Sequence, residues 1–383
     1  MRILFLRSNP VNPDSRVEKE VCALKKAGHD VSIFAWDRST TCANYTEFMD
    51  IGGFQVEITR CGIKSEYGAS ILKMFLPLVT FQIKILAYLL KNIKNYDVIH
   101  ACDFDTAFVS VITAKLFGKK TVYDIFDYYV DAFNIPDFLK WIISSLDHFA
   151  MKLSDKLIVC TEKRIQQIPK MDTDKIYVVQ NSPDIPYSEE EPCNEGTAYD
   201  INIAYFGILQ EGRLIKELVD IVAKHENWHL DIGGFGLLEQ YVEDASKENK
   251  NITYYGRVAY HTVLNYERKS DILTALYTPE VRNHRFAAPN KFYEAMGLGK
   301  PLIVCRNTYI DEYVDRLDCG AIIDYNADDL ENAIYSLIAR KHEWNSMSER
   351  MKRCYDTELR WVYSEAELIK CYNILSPLEA ARR

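Results

Sequence analysis

The sequence predicts two doubly wound α/β domains in tandem, each a parallel sheet with helices on both sides, facing a cleft. Three observations carry that expectation. The chain has 383 residues, more than one ordinary core accommodates. Short continuous apolar runs, as expected of strands buried on both faces, alternate with helical patterns along its length. The alternation restarts after a polar, acidic stretch, PYSEEEPCNEGTAYD, whose composition marks a linker. The limits drawn are a first domain at 1–185, a linker at 186–200, a second domain at 201–355, and a C-terminal helical region at 356–383 that packs back on the first domain.

In the first domain, Ile3–Leu6 reads as the first strand and SNPVNPDS as the loop after it. Ser15 and Glu18 have capping-box spacing, Val17, Val21 and Leu24 share a helical face, and Gly28 ends that helix. Val31–Ala35, Val98–His100, Thr121–Tyr123, Leu157–Cys160 and Ile176–Val179 follow as strands. The second series runs through Ile203–Phe206, Leu230–Ile232, Thr253–Tyr255, Leu273–Tyr277, Leu302–Cys305 and Ala321–Ile323. The helix Ala327–Ala339 places Leu330, Ile334, Leu337 and Ile338 on one face. Strand and helix in alternation give right-handed βαβ units, with ligands expected at the carboxyl ends of the strands. Near the end, Ser364 and Glu367 repeat the capping-box spacing, and Leu368, Tyr372 and Leu375 share a face.

Composition narrows the function. Hydrophobic residues make up 48% and charged residues 26%, as in ordinary folded proteins, and the formal net charge is −9. An acidic chain lacks the basic footprint a phosphate backbone needs, so nucleic acid is not expected as a partner. Ten scattered cysteines without CxxC spacing fit reduced thiols in the cytoplasm and neither a disulfide framework nor a zinc site. No metal is expected. MRILFLRSNP has too short an apolar run for a signal peptide. The longest apolar stretch, LVTFQIKILAYLL (Leu78–Leu90), has 13 residues and contains Lys84, too few to span a bilayer. With Lys73, Lys91 and Lys94 nearby it has two readings: an interfacial helix that docks residues 71–94 on a membrane, or an amphipathic helix packed on the sheet.

Several segments could carry chemistry. RNHRFAAPNKFYEAMGLGKP follows a strand, crosses a basic loop (Arg282, His284, Arg285) and enters a helix near Pro289, Asn290 or Lys291. A helix start presents unpaired N–H groups and the positive end of the macrodipole, a natural place for an anion. Lys291 there opposes the dipole unless an anion sits nearby, and Glu294, one turn on, could accept from vicinal hydroxyls such as a ribose diol. A solvated surface helix with ordinary charges is the alternative. After Phe206, Gly207 permits close backbone approach while Arg213 and Lys216 offer cations for phosphate. The bland reading is a glycine turn before exposed basic residues. GGFG (Gly233–Gly236), which contains Gly234, could cradle phosphate but lacks the full GxGxxG fingerprint. In the first domain, VIHACDFD and YDIFD put His100, Asp103, Asp124 and Asp127 at strand ends, where a histidine can equally be structural. Arg16, in the first turn of the first helix, and His100 are candidate contacts for phosphate or acceptor.

Together these segments resemble the GT-B-fold glycosyltransferases and, within them, glycosyltransferase family 4. The resemblance runs through NPDSRVEKEVCALKKAGHDVSIF, DVIHACDFDT, DKLIVCTE, VVQNSPD, YFGILQEGRLIKEL and APNKFYEAMGLGKPLIV, with Trp361 before the last helix. It implies a retaining, metal-independent transfer from a nucleotide sugar, held mainly by the second domain, to a glycan or lipid-linked acceptor held by the first. Glu294 matches the family's ribose-binding glutamate, and Arg213 falls where the lysine of its basic pair stands, with Ile208 in place of the usual arginine. Backbone groups near Arg257 and Val258 are implied to hold the base. Two positions depart from the pattern: Phe286 replaces the first of the paired glutamates, and Phe126 stands where a histidine is common. Asp127, then Asp103, are the resulting catalytic candidates. A nucleotide-sugar epimerase of the same architecture and a non-catalytic nucleotide-sugar-binding module are the competing readings.

Overall fold

The computed structural model describes residues 1–65, 71–132, 135–186 and 199–375. The chain divides into two compact units, Met1–Gln180 together with Val362 onward, and Asn181–Trp361. They are called the first and second domains below. Residues 187–198 of the expected linker, Cys193 among them, lie outside the described residues.

The first domain is built from β1 (Arg2–Arg7), α1 (Ser15–Lys26), β2 (Asp30–Asp37), β3 (Tyr45–Ile51), β4 (Phe54–Gly62), α2 (Ile71–Lys91), β5 (Val98–Cys102), α3 (Phe104–Leu116), β6 (Lys120–Ile125), α4 (Tyr129–Ala132), α5 (Asp137–Leu153), β7 (Lys156–Val159) and β8 (Ile176–Val178). Its eight strands lie in the order β3-β4-β2-β1-β5-β6-β7-β8, all pairs parallel except β3–β4. Alternate residues of each strand face opposite layers. Leu4, Leu6, Phe34 and Trp36 meet Phe81, Ile85 and Leu89 of α2. Tyr123, Ile125, Leu157 and Val159 meet Ala107 and Val111 of α3 and Ala150 and Met151 of α5. Thus α2, α3 and α5 share one face of the sheet, each fully buried aliphatic or aromatic side chain contributing roughly 1.5–3 kcal/mol.

Four features differ from the sequence reading. The hairpin β3–β4 was not foreseen, although Gly52–Gly53 between two alternating segments is a hairpin signal. The first helix is capped one residue earlier than expected. The Asp14 carboxylate accepts from the Val17 N–H and the Glu18 carboxylate from the Asp14 N–H at 3.0 Å, so the reciprocal pair is Asp14 and Glu18. The apolar helix α2 has 21 residues, not 13, and by length and composition alone it could cross a membrane. Finally, Ser364 is no cap. It lies inside the terminal helix, where its Oγ accepts from the Gln180 N–H at 2.9 Å.

The second domain contains β9 (Ile201–Ile208), α6 (Ile215–Lys224), β10 (Trp228–Phe235), α7 (Glu239–Glu248), β11 (Ile252–Tyr254), α8 (Tyr260–Lys269), β12 (Ile272–Ala275), α9 (Asn290–Leu298), β13 (Leu302–Cys305), α10 (Asp311–Leu317), β14 (Gly320–Ile323), α11 (Ala327–Ala339) and α12 (Trp344–Cys354). Its all-parallel sheet has the order β11-β10-β9-β12-β13-β14. The strand order reverses between β9 and β12, and a crevice opens at such a switch point. One face carries α6, α7 and α11 over Ile203, Tyr205 and Ile232; the other carries α8, α9 and α12 over Ala204, Phe206 and Leu273. The last helix, α13 (Trp361–Leu375), is buried in the first domain through Leu368 and Tyr372.

Candidate functional site

A cavity of about 370 Å³ opens at the switch point of the second domain. Of the ten positions singled out there by sequence, nine line it: Gly207 and Arg213 after β9, Gly234 at the end of β10, Arg257 and Val258 after β11, and Pro289, Asn290, Lys291 and Glu294 at the start of α9. The tenth, Lys216, does not. It pairs with Glu211 at 2.7 Å on the exposed side of α6, because helical periodicity turns it away from the strand ends. The basic loop is also used otherwise: Arg285 Nε donates to the Pro279 carbonyl at 2.6 Å and His284 Nδ1 lies 2.9 Å from the Thr278 carbonyl. Neither side chain lines the cavity.

Backbone conformation lets the cations approach. Gly207 has φ +155° and Gly234 φ +144°. A Cβ on Gly207 would collide with the Lys291 ammonium, and one on Gly234 with the Gly207 carbonyl. Lys291 is buried, its Nζ 4.6 Å from the centre of the Tyr205 ring. Arg213 stacks on Tyr277 at 4.9 Å, and its buried Nε has no hydrogen-bond partner among the described residues. Arg257 stacks on Phe235 at 4.3 Å. Helix α9 begins after Pro289 with no side-chain cap, so its first two N–H groups, of Asn290 and Lys291, have no intrahelical partner at the same spot, while the Phe292 N–H turns back to the Pro289 carbonyl. Three cations and a helix start therefore converge against a single carboxylate, Glu294, in a chain of net charge −9. The arrangement suits a ligand with at least two negative charges.

Sequence reasoning missed the group behind Glu294. Glu267 of α8 is buried, and one of its carboxyl oxygens has no hydrogen-bond partner among the described residues. Burial pushes the Glu267 carboxyl well above the usual carboxylate range, and the neighbouring Glu294 charge adds to that. Burial also raises Glu294, while Lys291 and hydrogen bonds with Tyr260 and Glu267 pull it down. Glu267 is pushed up further than Glu294, which favours a proton between them on Glu267 and Glu294 as the acceptor. Glu267 stands on a different helix, so spacing along the chain does not point to it.

In the first domain the strand ends are occupied from within. Arg16 was read as an open phosphate or acceptor contact, and the structure corrects this. Its guanidinium is buried, pairs with Asp124 at 2.7 Å and Glu20 at 3.1 Å, and donates to the Val179 carbonyl at 2.9 Å. His100 is likewise no ligand contact. It is fully buried, stacked on Phe5 at 4.0 Å, with Nδ1 2.7 Å from the Tyr372 hydroxyl. Burial lowers its pKa despite Asp124 nearby, which disfavours the charged ring. His100, Cys102 and Asp124 bring ligand atoms within 4.8 Å of one another, but Arg16 already takes Asp124 and would repel a cation. Burial also holds the Cys102 thiol well above its ordinary pKa. This cluster does not fit a metal.

Asp103 and Asp127 do come together, at the ends of β5 and β6. Asp103 has φ +64°. Its Oδ1 accepts from the Phe126 and Asp127 N–H groups at 2.9 and 3.3 Å, and its Oδ2 pairs with Arg7 at 2.6 Å. Burial, opposed by Arg7, pushes the Asp103 carboxyl up to about 7. Asp127 is half exposed and pairs with Arg164 at 2.6 Å. The Phe126 ring lies between the Arg7 and Arg16 guanidinia, at 4.1 and 4.6 Å. A further cavity of about 330 Å³, at the ends of β2 and β4, is lined by Asp37, Arg38, Tyr45, Glu47 and Arg60 among others. It was not foreseen, because the unrecognised hairpin supplies Tyr45, Glu47 and Arg60.

Residues 202–340 match the family described as Glycosyl transferases group 1. No curated protein matches by sequence. In fold the chain is similar to sucrose-phosphate synthase from Thermosynechococcus elongatus, at 15% identity over 98% of this chain and 99% of that one, with a TM-score of 0.73. It is also similar to HepE from Anabaena in complex with UDP (15% identity, 97% and 100% covered, TM-score 0.67). WaaG, a glycosyltransferase involved in lipopolysaccharide biosynthesis, gives 14% identity, 98% and 100% coverage and a TM-score of 0.64. The chain accordingly has the GT-B fold, two Rossmann-like domains in tandem, and its residues 202–340 match the group 1 glycosyl transferase model.

Proposed function

We propose that the protein is a retaining glycosyltransferase that moves a sugar from a nucleoside diphosphate donor to an acceptor hydroxyl, on the cytoplasmic side, in the synthesis of a surface polysaccharide or lipid-linked glycan. The observation that carries this is the switch-point cavity, where Arg213, Arg257, Lys291 and the start of α9 face one carboxylate. A diphosphate supplies the missing negative charge, and Glu294 accepts from the ribose diol. HepE complexes with UDP and with UDP-glucose support a donor of this class.

In the reaction the anomeric carbon–oxygen bond to the diphosphate breaks and a bond to the acceptor oxygen forms on the same face. The departing diphosphate gains charge as this happens, and the cations and helix N–H groups stabilise it more in the transition state than before. One of its oxygens takes the acceptor proton. These cations do the electrostatic work, so the reading calls for neither a metal nor an enzyme nucleophile. The first domain holds the acceptor, with Asp127 and Asp103 as the polar groups nearest its hydroxyl.

Incubation with a panel of nucleoside diphosphate sugars tests the proposal. Transfer, or slow hydrolysis of one donor, supports it; an isomerised donor supports an epimerase, and binding without turnover a binding module. Glu294→Ala removes charge-assisted hydrogen bonds and is expected to weaken nucleotide binding about 10- to 100-fold by calorimetry. Unchanged affinity would remove the ribose assignment.

A further inference from the structure

Helix α2 is apolar on both sides. Phe81, Ile85 and Leu89 are wholly buried against the sheet, so one face of α2 belongs to the core of the first domain. Yet Phe75, Leu76, Val79, Ile83, Leu86 and Leu90 form a second stripe at helical spacing that faces outward. Phe75, Leu76 and Ile83 are 66%, 71% and 63% exposed. Helix α5 repeats the pattern. Ala150 and Met151 are buried, whereas Phe138, Trp141, Ile142, Leu146 and Phe149 point away, Phe138 and Trp141 at 74% and 76% exposure. Between them lies α3, which packs on both and ends in the exposed Leu116 and Phe117. More than half of the exposed large apolar side chains among the described residues stand on this single layer. Such a concentration exceeds the scattered apolar exposure normal for a protein surface.

Charge identifies the occupant. The three helices carry six lysines and three aspartates, and two of those aspartates, Asp105 and Asp147, are buried. Exposed Lys73, Lys91, Lys94, Lys115, Lys140 and Lys152 therefore surround the apolar layer, with Asp137 the one exposed acid on these helices. The chain as a whole is at −9, so this face is a local reversal of sign. A partner helix or second copy would need acidic residues set among apolar ones. An anionic bilayer offers both properties at once, negative headgroups for the lysines and acyl chains for Phe, Leu and Trp tips.

We propose that the α2–α3–α5 face of the first domain docks in the interface of a bilayer containing anionic lipid, lying on the membrane through two helices without spanning it. The wider face includes α5, which the basic amphipathic segment at 71–94 alone does not suggest.

The test is flotation of the full chain with vesicles of phosphatidylcholine alone and of phosphatidylcholine with one-third phosphatidylglycerol, at about 0.1 M salt, without nucleotide sugar. Binding to the anionic vesicles with a blue shift in tryptophan emission is expected, weakened at least tenfold on phosphatidylcholine alone or at 0.5 M salt. Trp141→Asp and Ile83→Asp should each weaken binding about tenfold or more, and the pair Lys91→Glu, Lys94→Glu on the order of 25-fold. These positions are exposed, so their melting temperatures should match the wild type. Absence of binding to anionic vesicles overturns the proposal, as does a salt-insensitive dimer that Trp141→Asp dissolves. Neither result touches donor binding in the second domain, so transfer and docking fail separately.

Discussion

Arg16 in the first domain and Lys291 in the second both stand in the first turn of a helix at a strand end, and both are buried. Arg16 has Asp124 and Glu20 within 3.1 Å and is consumed as internal structure. Lys291 faces a cavity in which cations outnumber carboxylates three to one. From the sequence the two positions read alike, since each opposes its helix dipole. The comparison teaches that a cation at a helix start signals an anion, but the anion can be the protein's own carboxylate. What separates a ligand site from a structural ion pair is whether the negative charge is already folded in.

The largest expected effect tests the structural side of this contrast. Arg16→Ala leaves Asp124 buried without its cation and should lower unfolding free energy by about 3–5 kcal/mol in denaturant titrations. Nucleotide affinity of any variant that remains folded should stay within about twofold of wild type. Weakened nucleotide binding at wild-type stability would reverse the roles assigned to Arg16 and Lys291.

A second internal carboxyl in the first domain gives a pH signature. Asp147 is fully buried beside the Tyr123 hydroxyl at 2.7 Å, and burial pushes its carboxyl up to about 7. The folded chain then keeps a proton that the unfolded chain releases near pH 4. Its contribution is most favourable at low pH and is lost as pH rises through about 7. The difference in stability between wild type and Asp147→Asn should therefore change by up to about 4 kcal/mol between pH 4 and 8. A difference flat in pH would place the proton elsewhere.

On the ligand side, Lys291→Ala should reduce turnover by about 100-fold, the range for losing one group that stabilises developing oxyanion charge. The thermal midpoint should fall much less than for Arg16→Ala, because Glu294 feels the lysine through space and is not in ion-pair contact with it. Loss of stability with turnover intact would make Lys291 a second Arg16. The smallest effect is expected at Lys216. Its surface pair with Glu211 is screened by solvent, and Lys216→Ala should leave donor KM and melting temperature unchanged.

How much was legible varies by element. The parallel strands were found because burial on both faces makes each a continuous apolar run, as in LIVC at Leu302–Cys305. The edge hairpin was missed because YTEFMDI is exposed along most of its length and carries no such run. At the donor-type cavity the glycines, Arg213 and the start of α9 were readable from strand–turn–helix order. Glu267 was not, since nothing along the chain relates α8 to Glu294. Lys216 and Arg213 are three residues apart, and only the direction of α6 tells which reaches the cavity.

By itself the sequence determined the fold class, the linear order of βαβ units and the segments that end up at strand ends. These follow from local pattern, in which apolar period and turn residues fix each element wherever it stands. Tertiary structure alone decided which charges stay available. Asp124 lies 108 residues beyond Arg16 and closes on it only when β6 enters the sheet, whereas among the described residues no carboxylate forms such an ion pair with Arg213 or Lys291. It also decided that α2 and α5, far apart in sequence, present their outer apolar stripes on one layer. Long-range pairing and side-chain direction are properties of the packed sheet, and no window of sequence contains them.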